Sequence, residues 1–159
     1  MLNAFIYTNR ACNITISFFK HGPEINPYLI FRFDCRQIND LVTFRSGENK
    51  REHLVIAACN DGYLKVFSPQ KGCLIKVVKG ISGNPICLDV SGLGHIPALG
   101  EPRDILAVGY EDDSFIVYSI LRDFQPIYRG VGHRAFIGTI RFDNYFMDAQ
   151  MQYREHLVP

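Results

Sequence analysis

Tryptophan is absent from the 159 residues, so any structural part for a large aromatic falls to 12 phenylalanines and 8 tyrosines. Charge of one sign is also lacking. Seventeen Lys and Arg stand against 16 Asp and Glu, for a formal net charge of +1. That balance argues against nucleic acid or an anionic membrane as the main partner, since either favours a basic excess. No apolar run approaches the roughly 18 residues needed to cross a bilayer. The opening stretch "MLNAFIYTNRACNITISFF" has Arg10 as its one basic residue before Lys20, and Asn and Thr interrupt its apolar segments, which makes a poor signal peptide. The 5 cysteines, at positions 12, 35, 59, 73 and 87, form no C-x-x-C pair and are odd in number. Such spacing points to reduced thiols in an intracellular protein rather than to a disulfide framework. No segment sustains a 3.6-residue apolar period long enough for a helix.

What is present is repetition. The pentapeptide "REHLV" runs from Arg51 to Val55 and again from Arg154 to Val158. Between the two copies, "LVIAACNDGYLKVF" (Leu54 to Phe67) superimposes on "ILAVGYEDDSFIVY" (Ile105 to Tyr118) with a shift of 51, and Asp61 falls on Asp112. "PICLDVS" (Pro85 to Ser91) falls on "IGTIRFD" (Ile137 to Asp143) with a shift of 52. The two pentapeptides are therefore in phase, and Leu54, Ile105 and Leu157 open the same strand in three successive units. Within a unit, Leu54–Cys59 is a continuous apolar run, "NDG" a tight turn and Tyr63–Phe67 an alternating strand. After the "SPQKG" loop come a third strand at Leu74–Lys79, the "GISGN" loop and a fourth strand at Ile86–Val90. Enrichment in β-branched and aromatic residues favours strand throughout.

Four short antiparallel strands repeating at about the length of a propeller blade predict an all-β, partial β-propeller. The period exceeds the usual ~40–45 residues, and the excess is placed in an extended loop, "GLGHIPALGEPR" (Gly92 to Arg103). The expected division is 1–34 for the end of one blade with a loop insertion, 35–80 and 81–130 for two blades, and 131–159 for the start of another. "NAFIY" near the start matches "LKVF" and "FIVY" as a third strand, and "REHLVP" matches the opening of a second. The expectation is thus two nearly whole blades and two halves, a piece of a larger ring.

"NDGYLKVF", "EDDSFIVYS" and "RGVGHRAFIGTIRFD" resemble WD repeats. More narrowly they resemble the group that contains the animal WD-repeat protein twenty, the dystrophia-myotonica WD-repeat protein and the fungal catabolite-repression C proteins. The likeness extends over roughly Asn26 to Val158, with "NPYLIFRF" and "INDLVTF" matching the insertion and inner strand upstream. It implies structural WD-motif roles for Asp61 and Asp112 in turns, for Phe67 and Tyr118 where a tryptophan usually closes the third strand, and for Gly132 and His133. Ser68 and Ser119 replace the Asp that normally follows the aromatic. It also implies a non-enzymatic scaffold, located in the cytoplasm or nucleus, that binds and activates a ubiquitin-specific protease, with a second WD-repeat protein as a further partner. In that group an aromatic at the position of Phe136 contacts the protease, and a second lies one blade earlier, where this chain has Ile81 and Ser82.

Other groups invite chemistry, but each has a plainer reading. His133 beside Asp143 or Asp112 would suit a hydrolase, but no G-x-S-x-G or comparable nucleophile motif accompanies it. "EDD" at Glu111–Asp113 lacks the spacing of a calcium loop and reads as turn chemistry, with Asp61 and Asp112 bonding backbone N–H groups. "ENKREH" (Glu48 to His53) reads as a solvated turn, and "GISGN" has no phosphate-binding lysine motif around it. Cys59 and Cys87 read as small core residues. No metal and no cofactor is expected. The alternatives to the scaffold are an inactive propeller fragment, a self-assembling partial propeller and, remotely, the hydrolase centred on His133.

Overall fold

Short runs of β-branched and aromatic residues, most of them bounded by Gly, Asp, Asn or Pro, favour extended strands joined by tight turns. A computed structural model describes residues 2–8, 13–20, 27–34, 37–46, 52–92, 104–135, 137–147 and 153–158. Among these residues the protein is all-β with no helix.

Strands β1 (Leu2–Thr8), β2 (Asn13–Lys20) and β3 (Pro27–Asp34) form an antiparallel sheet in chain order. Two four-stranded antiparallel sheets follow. The first joins β4 (Ile38–Ser46), β5 (Glu52–Cys59), β6 (Tyr63–Ser68) and β7 (Cys73–Lys79). The second joins β8 (Pro85–Gly92), β9 (Asp104–Tyr110), β10 (Phe115–Ser119) and β11 (Gln125–Gly130), again in chain order. Strands β12 (Arg141–Met147) and β13 (Tyr153–Val158) pair as the opening of a further unit. Four-stranded meanders laid face to face in succession are the blades of a propeller.

The sequence repeat is also a repeat of register. Phe67 pairs with Val55 and Tyr118 with Leu106, each partner displaced by the same 51 positions. A bulge falls between Val66 and Phe67 and another between Val117 and Tyr118. Left-handed backbone recurs as well, with Gly62 (φ 85°) matched by Asp113 (φ 62°) at a shift of 51 and Gly72 (φ 64°) by Phe124 (φ 61°) at a shift of 52. Two local readings are adjusted. Glu52 and His53, expected in a solvated turn, extend β5 by pairing with Ser46 and Arg45, because the hairpin ladder continues past the last apolar residue. "NPYLIFRF", expected in part as an inserted loop, supplies β3. The expected long loop lies mostly at 93–103, outside the described residues.

The largest core fills the space between the two four-stranded sheets. Phe44, Leu54, Ile56, Ala58, Leu64 and Val66 meet Leu88, Leu106, Val108, Tyr110, Ile116, Tyr118 and Phe124. Each such Leu, Ile or Val contributes about 1.5–3 kcal/mol on full burial. On the other face of the first sheet, Val55, Ala57, Cys59 and Phe67 form a second cluster. On the far face of the second sheet, Cys87, Ala107 and Val117 pack with Ile137, Ile140 and Phe142. Phe67 and Tyr118 thus point the same way from successive sheets.

The innermost strands are tied side to side. The Asp40 carboxylate accepts from the Leu88 N–H at 2.8 Å, and one sheet later the Asp89 carboxylate accepts from the Phe142 N–H at 2.6 Å. Asn39 Nδ2 donates to the Pro85 carbonyl, and Arg141 donates to the Leu88 carbonyl. Strands β4, β8 and β12 therefore neighbour one another, while β7 and β11 lie on the outer rim.

Candidate protein-interaction site

The β5–β6 turn, the β7–β8 loop, the β9–β10 turn and the segment after β11 gather at one end of the sheets. Pairing of Tyr63 with Lys79 brings the end of β7 back to the start of β6, and the Gly80 N–H donates to the Gly62 carbonyl at 2.7 Å. Asp61 and Asp112 each bridge their own turn. Asp61 Oδ1 accepts from the Tyr63 N–H at 3.3 Å, and Asp112 Oδ1 accepts from the Ser114 N–H at 3.1 Å. Each carboxylate also meets a cation on a nearby strand, Lys65 at 2.7 Å for Asp61 and Arg129 at 3.3 Å for Asp112. Partial burial by itself would raise the Asp112 pKa. The hydroxyl and N–H of Ser114, the Ser82 hydroxyl and Arg129 outweigh it, so the carboxyl stays below its ordinary range.

The β7–β8 loop, residues 80–84, is held in one shape from two sides. Glu111 accepts from the Asn84 N–H at 3.1 Å and from Asn84 Nδ2 at 2.9 Å, while its own N–H donates to the Asn84 carbonyl. Glycine is required here. A Cβ on Gly80 would stand 2.6 Å from the Gly83 carbonyl oxygen, and Gly83 has φ +93° with Glu111 Oε1 2.5 Å from where a Cβ would sit. Beneath the loop, the hydroxyls of Tyr110 and Tyr118 share a buried hydrogen bond, with the Ile81 backbone against both. Burial pushes both phenols up, Tyr110 the further, so they remain neutral donors and acceptors. The outcome is that Ile81 is thrust outward at 53% exposure, while the Ser82 hydroxyl is buried, facing Asp112 without a close hydrogen bond.

After β11 the chain bulges out through 131–135. Val131 is 72% exposed, Gly132 takes φ +119°, and His133, Arg134 and Ala135 are exposed. At Ile137 the chain returns to the core, where its carbonyl accepts from the Cys87 thiol. His133 therefore lies at the surface. Phe136 lies outside the described residues. Of the aromatics read from the repeat, Phe67 and Tyr118 are both interior, at 2% and 1% exposure. The buried Tyr110–Tyr118 pair was missed in the sequence. The available signal was that the second unit carries tyrosine at two positions where the first carries Cys59 and Phe67.

The chemistry on offer at this end is that of a contact surface. Apolar Tyr63, Ile81 and Val131 are interspersed with charged Lys79, Glu111 and Arg134 on braced turns. Among the described residues, no group of three or more His, Cys, Asp and Glu could hold a metal ion.

Consecutive four-stranded antiparallel sheets with matched registers and braced loops at one end are those of a partial β-propeller, an arrangement consistent with WD repeats. Comparison with curated proteins agrees. Over 92 residues the chain is 26% identical to the WD repeat-containing protein 20 homolog of Caenorhabditis elegans. That stretch is 58% of this chain but 11% of the worm protein, so the chain spans a small part of the relative it matches. No family model matches the chain.

Proposed function

We propose that this chain forms part of a non-enzymatic WD-repeat scaffold whose partner is a ubiquitin-specific protease, bound at the loop end described above. The resemblance to the WD-repeat protein twenty group motivates the choice of partner, with a second WD-repeat protein joining the same assembly in the cytoplasm or nucleus. The observation that carries the reading is the bracing of residues 80–84 by Glu111 and the tyrosine pair. Order is imposed on a loop whose outermost side chain is an apolar Ile81, and a preorganised apolar anchor saves the entropy otherwise lost on binding. Ile81, Ser82 and Phe136 are the proposed contact residues, with Phe136 as the aromatic anchor. His133 is a surface residue of the adjoining loop in this reading.

The test is capture of tagged ubiquitin-specific proteases by the chain, together with ubiquitin-coumarin hydrolysis with and without it. A bound protease with raised turnover is the expected result. Phe136→Ala and Ile81→Ala should then weaken capture, by about thirtyfold for a true anchor, at an unchanged melting temperature. A well-folded chain that neither binds nor stimulates any ubiquitin-specific protease would refute the partner, and equal capture by both variants would refute the site.

A further inference from the structure

Strand β7 is the outer edge of the first four-stranded sheet and, among the described residues, pairs only with β6. An edge with unpaired backbone donors and acceptors is a template for another strand, and proteins usually blunt it with proline, inward charge or covering segments. The two rims of this molecule differ in that respect. The outer strand of the second sheet carries Pro126, and its Arg129 is engaged with Asp112. β7 has no proline, and it exposes Leu74 at 45%, Ile75 at 45% and Val77 at 46%.

Charge separates the candidate occupants. From Gly62 to Leu88 there is no acidic residue, while lysine stands at 65, 71, 76 and 79. Lys65, Lys71 and Lys76 are met by Asp61, Glu52 and Asp123 from outside that stretch. Lys79 is exposed and has no carboxylate within ion-pair distance among the described residues. A second antiparallel β7 paired about its own midpoint would set Lys76 against Lys76, and like charges directly opposite oppose pairing. A strand that sets a carboxylate against Lys79 and β-branched side chains against the rest of the edge meets both that lysine and the exposed Leu74, Ile75 and Val77.

We propose that β7 is a strand-addition site for an extended, acidic and β-branched polypeptide segment, which would extend the sheet by one strand. Backbone hydrogen bonds to the free edge supply the common part of the affinity, and Lys79 and the apolar side chains supply the selection. The site is separate from the loop end and does not depend on the identity of the partner proposed there.

A fluorescein-labelled, end-capped peptide Glu-Val-Thr-Val-Glu-Val-Thr titrated against the whole chain tests this by anisotropy. Saturable binding is expected, with β7 amides gaining protection from hydrogen exchange. The same peptide with Lys for Glu should bind about tenfold more weakly. Of two versions N-methylated on alternate residues, the one that blocks the pairing edge should lose binding. Lys79→Glu, checked for an unaltered circular dichroism spectrum, should weaken the acidic peptide about threefold; should that variant misfold, the peptide arms decide alone. The proposal is overturned by absence of saturable binding, by equal binding of acidic and basic peptides, by protection appearing away from β7, or by dimerisation through β7 in light scattering that Ile75→Lys abolishes.

Discussion

The hydroxyls of Tyr110 and Tyr118 lie inside the space between the sheets, where each would be costly without the other. A lone Tyr118→Phe change leaves the Tyr110 hydroxyl short of a buried partner, and should cost about 1–3 kcal/mol. Removing both hydroxyls removes the unmet need, so the double variant Tyr110→Phe/Tyr118→Phe should lose much less than the two single losses combined. Urea unfolding of the four proteins closes the cycle, and additive losses would show that the two hydroxyls do not act as a pair. The same burial has a consequence in pH. Both phenols are raised in the folded chain above an unfolded value of about 10. Their contribution is therefore complete below that pH, and it is lost as the pH climbs beyond it towards the folded values. The urea midpoint should decline from about pH 10 upward, and the double Phe variant should flatten that decline. An identical slope in wild type and variant would show that the buried pair does not carry the effect.

The elements repeat, and the places where one unit departs from the other are the places where tertiary packing has overridden a local rule. The β6–β7 connection meets its left-handed requirement with Gly72, but the β10–β11 connection meets the same requirement with Phe124, next to Asp123 at φ 59°. A bulky residue there costs about 1–2 kcal/mol in backbone strain. In return the Phe124 ring enters the inter-sheet core, with the Lys76 ammonium 5.8 Å from its centre and ion-paired to Asp123. Truncating a buried Phe typically costs about 3–5 kcal/mol, so burial outweighs strain. Phe124→Gly should lower stability by about 2 kcal/mol or more, and a variant more stable than wild type would mean that strain dominates. The strands and their period were legible in the sequence because alternation, turn residues and a shift of 51 all agree. The strand placement of Glu52 and His53 was not, since pairing across the hairpin, rather than hydrophobicity, extends β5. At the loop end, the chemistry of the aspartate turns could be read from residue type. The Glu111–Asn84 clamp could not, because it joins loop residues 27 apart that meet only once β8 and β9 have paired.

Across the whole molecule, the two four-stranded sheets share a single core, and their inner strands exchange side-chain to backbone hydrogen bonds. Repeat architectures draw stability from each unit and from each interface between neighbours, so cooperativity depends on how the interface term compares with the unit term. Here the interface contains much of the apolar burial of both sheets, and neither can open its inner face without exposing the other's. The two sheets should therefore unfold as one unit. Asp40 probes this directly, because its carboxylate is fixed on β4 while the N–H it satisfies belongs to Leu88 on β8. Asp40→Ala leaves that part-buried N–H without its acceptor, at a cost of about 1–3 kcal/mol. If the interface governs, the cost is shared: slow-exchanging amides of β5 and β9 should lose protection by the same factor, although Asp40 lies in the sheet of β5 and the orphaned N–H in that of β9. Hydrogen exchange resolved by residue provides the reading. Loss confined to one sheet would show two independently opening units, with the shared core too weak to couple them.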